Sequence, residues 1–344
     1  MRALSPCLIM LGILVWPGMV AAINFSGGVW TTSFDYSGGE CSMSGAGGGT
    51  DCTDTANDGL EWDRNPYTRA GKNTEAVVAA NNPNGDGGMG FRTWIADGND
   101  NQTGDVSINF GGTSGPQKEF WLRWYQRYST GFTWGQGLDA GYDKTFYMYT
   151  GGSMSLPFGY SGGEWGVAIQ GGASSPDEFR TTGVKWSDLF GGPADGLFHM
   201  IEMHIKLDTA AGNDGIFRMW LDGVNVIDLT GVDWTGGDSA SQQGITHMEF
   251  NSNQNAASNT GGMGYVDYDD IAIYNVTPPN TDSGGRPWIG PLNGYSGAAS
   301  LPKPKSPAPV GVSFNHSIEN NNFASRGWYD NKNEVLANLG GDLR

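Results

Sequence analysis

The stretch 197–223, LFHMIEMHIKLDTAAGNDGIFRMWLDG, alternates with period two on both sides of a short polar turn. In its first half Ile201, Met203, Ile205 and Leu207 alternate with Glu202, His204 and Lys206. In its second half Phe217, Met219 and Leu221 alternate with Arg218, Trp220 and Asp222. That spacing sends one set to a core face and the other to the opposite face of a strand. Asn213-Asp214-Gly215 supplies the positive-φ residues a hairpin needs. A hairpin of this kind needs a second apolar layer to cover it. It also sets Glu202, His204, Lys206, Arg218 and Trp220 side by side. Most polar residues on a sheet face are simply solvated, but a His, a Lys, an Arg and a Trp together make a candidate ligand surface.

Further strands are expected at Val29–Tyr36, 75–80, 90–96, 106–110, 119–129, 144–150, 164–170, 245–251 and 264–274. The strongest is 119–129, EFWLRWYQRYS, with Leu122, Trp124 and Gln126 on one face and Arg123, Tyr125 and Arg127 on the other. In 245–251 Met248 and Phe250 face inward, and His247, Glu249 and Asn251 outward. Helical periodicity is nearly absent, and 56 Gly with 13 Trp and 13 Tyr suit turns and packed strands. About ten short strands separated by turns predict an all-β fold, a two-sheet antiparallel sandwich or jelly roll. The domain is expected over residues 23–276, followed by a Pro/Gly-rich linker over 277–310 that cannot enter a sheet interior. A tail at 311–344 is either a returning strand or a truncated module.

Residues 1–22 read as a secretory signal, with Arg2, an apolar run from Leu8 to Trp16 and Val20-Ala21-Ala22. The run is too short to span a bilayer, so the expectation is a secreted, extracellular or periplasmic monomer with no membrane insertion. Cys41 and Cys52, with ten residues between them, would pair in that compartment. A net charge of −17 argues against nucleic acid as a partner. It argues only mildly against a polyanion, since fields are screened over about 10 Å.

Phe198–Gly223 fits the run F/W-H-x-I-E-x-H-x-K-x-D-T…D-G-x-x-R-x-W-x-D-G. With the strand Tyr265-Val266-Asp267-Tyr268-Asp269-Asp270-Ile271, it resembles extracellular proteins of the concanavalin A-like jelly-roll superfamily. Within it the chain is most similar to the jelly-roll polysaccharide lyases, the group of alginate, glucuronan and heparin lyases, over roughly residues 25–275. The alginate lyase motifs are present only as fragments: Arg92-Thr93 lacks the following Glu, Gln170 lacks its His, and the Y-x-K-x-G-x-Y strand is missing. The E-x-D-x-x-E strand of the fold's glucanases is missing too, so a glycosidase would lack its two carboxylates.

The resemblance implies β-elimination from a uronate-containing polysaccharide. Such a reaction needs a neutraliser for the carboxylate, a base for the C5 proton and an acid for O4. His titrates near neutrality, and Tyr beside cations serves as a proton donor. The expected catalytic residues are His204, Tyr147, Arg123, Arg127 and Gln170. Arg218, Trp220, Lys206, Tyr125, Tyr149 and His247 are expected to bind substrate. Arg123, Arg127, Tyr147, His204 and Arg218 are expected to converge on one concave face, provided that their strands share a sheet. The superfamily also implies a structural Ca²⁺, for which Asp267, Asp269 and Asp270 are the hard-oxygen candidates. A non-catalytic, lectin-like or structural module on the same fold remains the alternative.

Overall fold

A computed structural model of the chain describes residues 22–32, 60–62, 75–78, 83, 89–95, 106–110, 114–132, 143–152, 155–161, 164–169, 178–191, 193–209, 212–254, 264–293 and 295. The expected signal segment, Cys41, Cys52, Gln170 and the tail at 311–344 lie outside the described residues. The described strands are β1 (Val29–Thr32), β2 (Leu60–Trp62), β3 (Glu75–Val78), β4 (Met89–Ile95), β5 (Val106–Asn109), β6 (Glu119–Tyr128), β7 (Asp143–Thr150), β8 (Ser155–Ser161), β9 (Glu164–Ile169) and β10 (Glu178–Lys185). After a five-residue helix, Trp186–Phe190, come β11 (His199–Lys206), β12 (Gly215–Leu221), β13 (Val224–Val232), β14 (Ile245–Gln254) and β15 (Gly264–Tyr274). Two short strands, β16 (Asn280–Thr281) and β17 (Pro287–Trp288), close the described chain.

The fold is an antiparallel β-sandwich. Sheet A runs β13-β12-β11-β6-β15-β4-β3, with β1 paired to β15, and sheet B runs β10-β9-β8-β7-β14-β5-β2. The hairpin read from the sequence is β11–β12, in register from Ile201 opposite Leu221 to Lys206 opposite Ile216. Its turn places Gly212 (φ 68) and Asn213 (φ 58) in the left-handed region. A second tight turn at Asp222 (φ 46) and Gly223 (φ 80) joins β12 to β13, with Leu221 opposite Val224. A two-residue loop with both φ values positive matches strand twist.

The alternation holds. Ile201, Met203, Ile205, Phe217, Met219 and Leu221 are all in the core with Phe120, Leu122 and Trp124 of β6. Sheet B meets them with Phe146, Met148, Met248 and Phe250. The Trp124 ring lies 5.4 Å from Phe146 and 5.5 Å from Phe250, edge-on to the latter. Gln126 sits on this inner face, takes the Trp124 Nε1–H at 3.1 Å and donates to the Tyr128 hydroxyl at 3.2 Å. The buried amide is therefore partnered on both sides, as burial requires.

The other face of sheet A is not open. Residues 277–293 and 295, expected as a linker, form a strap across it, and the reason is visible in their partners. Asp282 accepts the Trp220 Nε1–H at 2.8 Å. Glu202, fully buried, accepts the backbone N–H of Ile289 at 2.6 Å and of Gly290 at 3.0 Å. Arg123 donates to the Gly290 carbonyl at 2.8 Å, and the Leu292 N–H donates to the Tyr125 hydroxyl at 2.8 Å. Tyr295 donates to Asp222 at 2.8 Å. Trp288, Leu292 and Tyr295 pack on Tyr125, Phe198 and Met200, and Ile289 packs on Trp121 and Ala272. The prolines keep the strap out of the sheets, and it forms a third layer over sheet A instead.

Candidate functional site

Because the two sheets face each other through the core, their outer faces point in opposite directions. Arg123, Arg127, His204 and Arg218 lie on sheet A, and Tyr147 lies on sheet B. The expected convergence on one cleft is therefore corrected: the five residues divide between two opposite surfaces.

On sheet A the expected substrate-binding groups are engaged in holding the structure. Trp220 is completely buried beneath the strap, so it offers no stacking platform. Tyr125 is buried as well, and burial pushes its hydroxyl up to about 12. Burial pushes Glu202 up to about 7, while the Ile289 and Gly290 N–H groups and Arg123 pull it the other way. Arg127 pairs with Asp267 at 2.6 Å and lies over the Phe198 ring at 4.6 Å. His204 is stacked on Trp121, with centroids 4.0 Å apart and planes at 7°. Its Nε2 meets Glu119 at 2.9 Å and its Nδ1 lies 3.4 Å from Arg218. Burial lowers the His204 pKa, outweighing the Glu119 hydrogen bond. Arg218 is paired to Asp228 at 2.8 Å, and Lys206 lies 3.8 Å from Asp214. The patch is a web of matched charges, with Glu119, Asp214 and Asp228 at its exposed rim.

The residues expected to hold Ca²⁺ do not fit the ion. Both oxygens of the fully buried Asp267 are taken by guanidinium groups, Arg92 at 2.6 and 3.0 Å and Arg127 at 2.6 Å. Asp270 sits on a bulge with φ 48, and its N–H donates to the Asp269 carboxylate at 2.7 Å. Among the described residues no group of three or more His, Cys, Asp or Glu side chains gathers as Ca²⁺ would require.

Sheet B carries the remaining candidates, and there they meet. Its outer face is a small grid set by register. His247 of β14 lies opposite Tyr149 of β7 on one side and Asn109 of β5 on the other. One step along, Glu249 lies between Tyr147 and Ser107. Tyr147 and Tyr149 are stacked at 4.5 Å and 23°, and Tyr149 and His247 at 4.1 Å and 10°. Three rings thus form one pile, their faces largely taken up by one another, which leaves polar edges to do chemistry. The Tyr149 hydroxyl donates to Glu249 at 3.0 Å. The His247 Nε2 lies 3.8 Å from the other Glu249 oxygen, and its Nδ1 lies 3.4 Å from the Thr246 hydroxyl. Burial pushes His247 down to about 4, so the imidazole is neutral at neutral pH and able to take a proton.

Glu249 and, beside His247, Asn109 are the members that the sequence did not single out. Glu249 was placed outward by alternation but carried no role, and its signal was the His-x-Glu spacing, which sets two side chains on one strand face.

The low His247 value carries a stability consequence. The native ring stays neutral while the unfolded ring protonates below its ordinary 6.5. The unfolded state therefore binds the extra proton, and stability present above pH 6.5 is lost as the pH falls toward 4. His247→Gln removes this loss. Melting temperatures measured for both proteins between pH 7 and 4 are expected to converge as the pH falls. Curves that stay parallel contradict it.

The fold places the chain among all-β sandwiches of the jelly-roll kind. No protein-family model matches the sequence, and no curated protein does. Solved structures similar in shape include an alginate lyase, Aly36B, in complex with an alginate tetrasaccharide (17% identity, 72% of this chain and 97% of that one, TM-score 0.48). Others are the endo-β-1,4-glucuronan lyase of the fungus Trichoderma reesei (14%, 59% and 87%, TM-score 0.44) and the binding domain of Paraclostridial Mosquitocidal Protein 1 (11%, 64% and 45%, TM-score 0.41).

Proposed function

We propose that the protein is a secreted polysaccharide lyase that cleaves a uronate-containing glycan on the outer face of sheet B. The observation that carries this reading is the ring pile. A site that only binds sugars presents aromatic faces to them. Here the Tyr149 ring is packed between Tyr147, itself buried, and His247, and the half-buried Tyr149 hydroxyl and His247 imidazole are the groups left for chemistry. Those groups suit proton transfer.

In the reaction His247, neutral, takes the C5 proton of the uronate. The electrons released form the C4=C5 double bond, and the C4–O4 bond breaks. Tyr149 gives its hydroxyl proton to the departing O4. Asn109, in register beside His247, is placed to hydrogen-bond the uronate carboxylate and so make the C5 proton more acidic. Tyr147 packs against Tyr149 and fixes its ring.

The test is a panel of uronate polymers and neutral glucans, followed by the ultraviolet absorbance of the new double bond. Wild type is expected to produce absorbance on at least one uronate polymer and none on neutral glucans. His247→Ala and Tyr149→Phe are each expected to lower the rate by about 10²–10⁴. His204→Ala should leave the rate per folded molecule within about twofold, since the ring lies on the opposite sheet. Binding without new absorbance on every polymer would instead mark a glycan-binding module.

A further inference from the structure

Glu249 is chemically out of place in a site for an anionic sugar. A carboxylate there repels the substrate, yet this one reaches both proton-transfer groups. One oxygen takes the Tyr149 hydroxyl proton at 3.0 Å, and the other lies 3.8 Å from the His247 Nε2. Register holds it there: Glu249 stands opposite Tyr147 on β7 and Ser107 on β5, one step along the face from His247. Its side chain is only 18% exposed, so its charge acts through a partly dried medium.

Resting on the lyase reading above, we propose that Glu249 is the positioning residue of the site, holding the Tyr149 hydroxyl as a neutral proton donor and setting a negative charge beside the His247 ring. The carboxylate does not touch the sugar, and the hydroxyl turns from it to O4 as the C4–O4 bond breaks. It accepts the phenol proton as a hydrogen bond, which orients the hydroxyl and penalises the phenolate through like charge. The same negative charge favours a proton on His247 once the ring has taken one from C5. Acid and base are thereby tied to one group, and the pH range over which both are correctly protonated depends on it. The titratable groups around Glu249 among the described residues are Tyr147 and Tyr149 on β7 and His247 on its own strand. Glu61 of β2 stands one register position further out, opposite Ser107.

Glu249→Gln tests this. The amide keeps the size but loses the charge. The alkaline limb of kcat is expected to move down by roughly one pH unit as the phenolate becomes easier to form. At the optimum kcat should fall about 10–100-fold with KM within about threefold, since little ground-state binding is lost. Glu249→Asp, still charged, should return the alkaline limb toward wild type even where kcat stays low. A readout independent of activity accompanies these. The phenolate step of Tyr149, obtained as the ultraviolet titration of wild type minus Tyr149→Phe, should move to lower pH in the Glu249→Gln background.

An alkaline limb and a phenolate step both unmoved by Glu249→Gln overturn the proposal. So does a loss of kcat matched by a rise in KM and a fall in melting temperature, which is what a merely structural residue gives. If wild type forms no double bond on any polymer, the lyase reading fails by itself. The phenolate titration then still reports whether Glu249 controls the Tyr149 proton.

Discussion

A chain cut after Val276 will not hold its fold. The strap of residues 277–293 and 295 covers Trp121, Tyr125, Phe198, Met200 and Trp220, all of them buried, and it brings Trp288, Ile289, Leu292 and Tyr295 to meet them. Fully burying one large apolar side chain contributes about 1.5–3 kcal/mol. Even a part of that at each of these positions reaches the whole stability of an ordinary domain, about 5–15 kcal/mol. Point variants separate this from any incidental effect of truncation. Glu202→Ala leaves the Ile289 and Gly290 N–H groups buried without their acceptor. It also removes the carboxylate beside Arg123, whose Nε already has no partner. The expected cost is about 3–5 kcal/mol. Trp220→Ala leaves a cavity and removes one of the donors to Asp282, at about 3–5 kcal/mol. Urea unfolding measures all three. A truncated chain with the wild-type midpoint would show that the strap is an accessory and not part of the fold.

The strap also explains which half of the sequence could be read. Period-two alternation assigned inner and outer sets correctly along β6, β11, β12 and β14, because one face of each packs on the core whatever lies on the other. It carried no information about the outer face. Glu202, Trp220 and Tyr125 read as solvent-facing because their cover comes from residues far away in the chain. That cover is rich in Gly and Pro, a composition that signals a linker when no partner is in view. The β11–β12 hairpin was legible but its turn only in part: of Asn213-Asp214-Gly215 only Asn213 takes a positive φ, with Gly212 beside it. Membership of a sheet was not, since β6 pairs with β11 and β15 across long connections and β7 joins the opposite layer. Tyr147, Tyr149 and His247 were legible as outward polar groups, but their stacking depends on β7 and β14 being neighbours. Strand β8, SLPFGYS, was not among the expected strands, since Pro157 and Gly159 weaken the strand signal; the antiparallel pairing with β7 carries it nonetheless.

The two faces of the sandwich therefore hold their charges for different ends. On sheet A nearly every described cation meets a carboxylate: Arg218 and Arg286 share Asp228, Arg286 also meets Asp282, and Arg127 meets Asp267. On sheet B three rings stack, and Glu249 accepts from the Tyr149 hydroxyl and lies 3.8 Å from the His247 Nε2. The sequence reading gave His204 the catalytic role and His247 a substrate-binding one. Stacking on Trp121 and pairing with Glu119 make His204 a packed ring, whereas His247 stacks on Tyr149 beside Glu249.

The second large effect is expected at Asp267. Its carboxylate lies at the centre of three strands, in register with Arg92 on β4 and Arg127 on β6. It takes three guanidinium N–H groups and has no exposed surface, whereas the two arginines keep 17% and 8% of theirs. The bidentate fork of Arg92 matches the carboxylate in a way that Lys would not. Removing the anion leaves two cations side by side with little water to screen them. Asp267→Ala is expected to cost about 3–5 kcal/mol, and Asp267→Asn less, since an amide oxygen still accepts one of the bonds. If the charge is the cause, Arg127→Met in the Asp267→Ala background should recover part of the loss, and the double-mutant cycle should show a coupling of about 1–3 kcal/mol. The same experiment decides between an ion pair and a calcium site. A ligand bound only to the native state raises its melting temperature, so a calcium site at Asp267 would make wild type sensitive to a chelator and Asp267→Ala insensitive. An ion-paired Asp267 gives the opposite pattern: no response to chelator in either protein, and a loss of stability in the variant that excess Ca²⁺ does not restore.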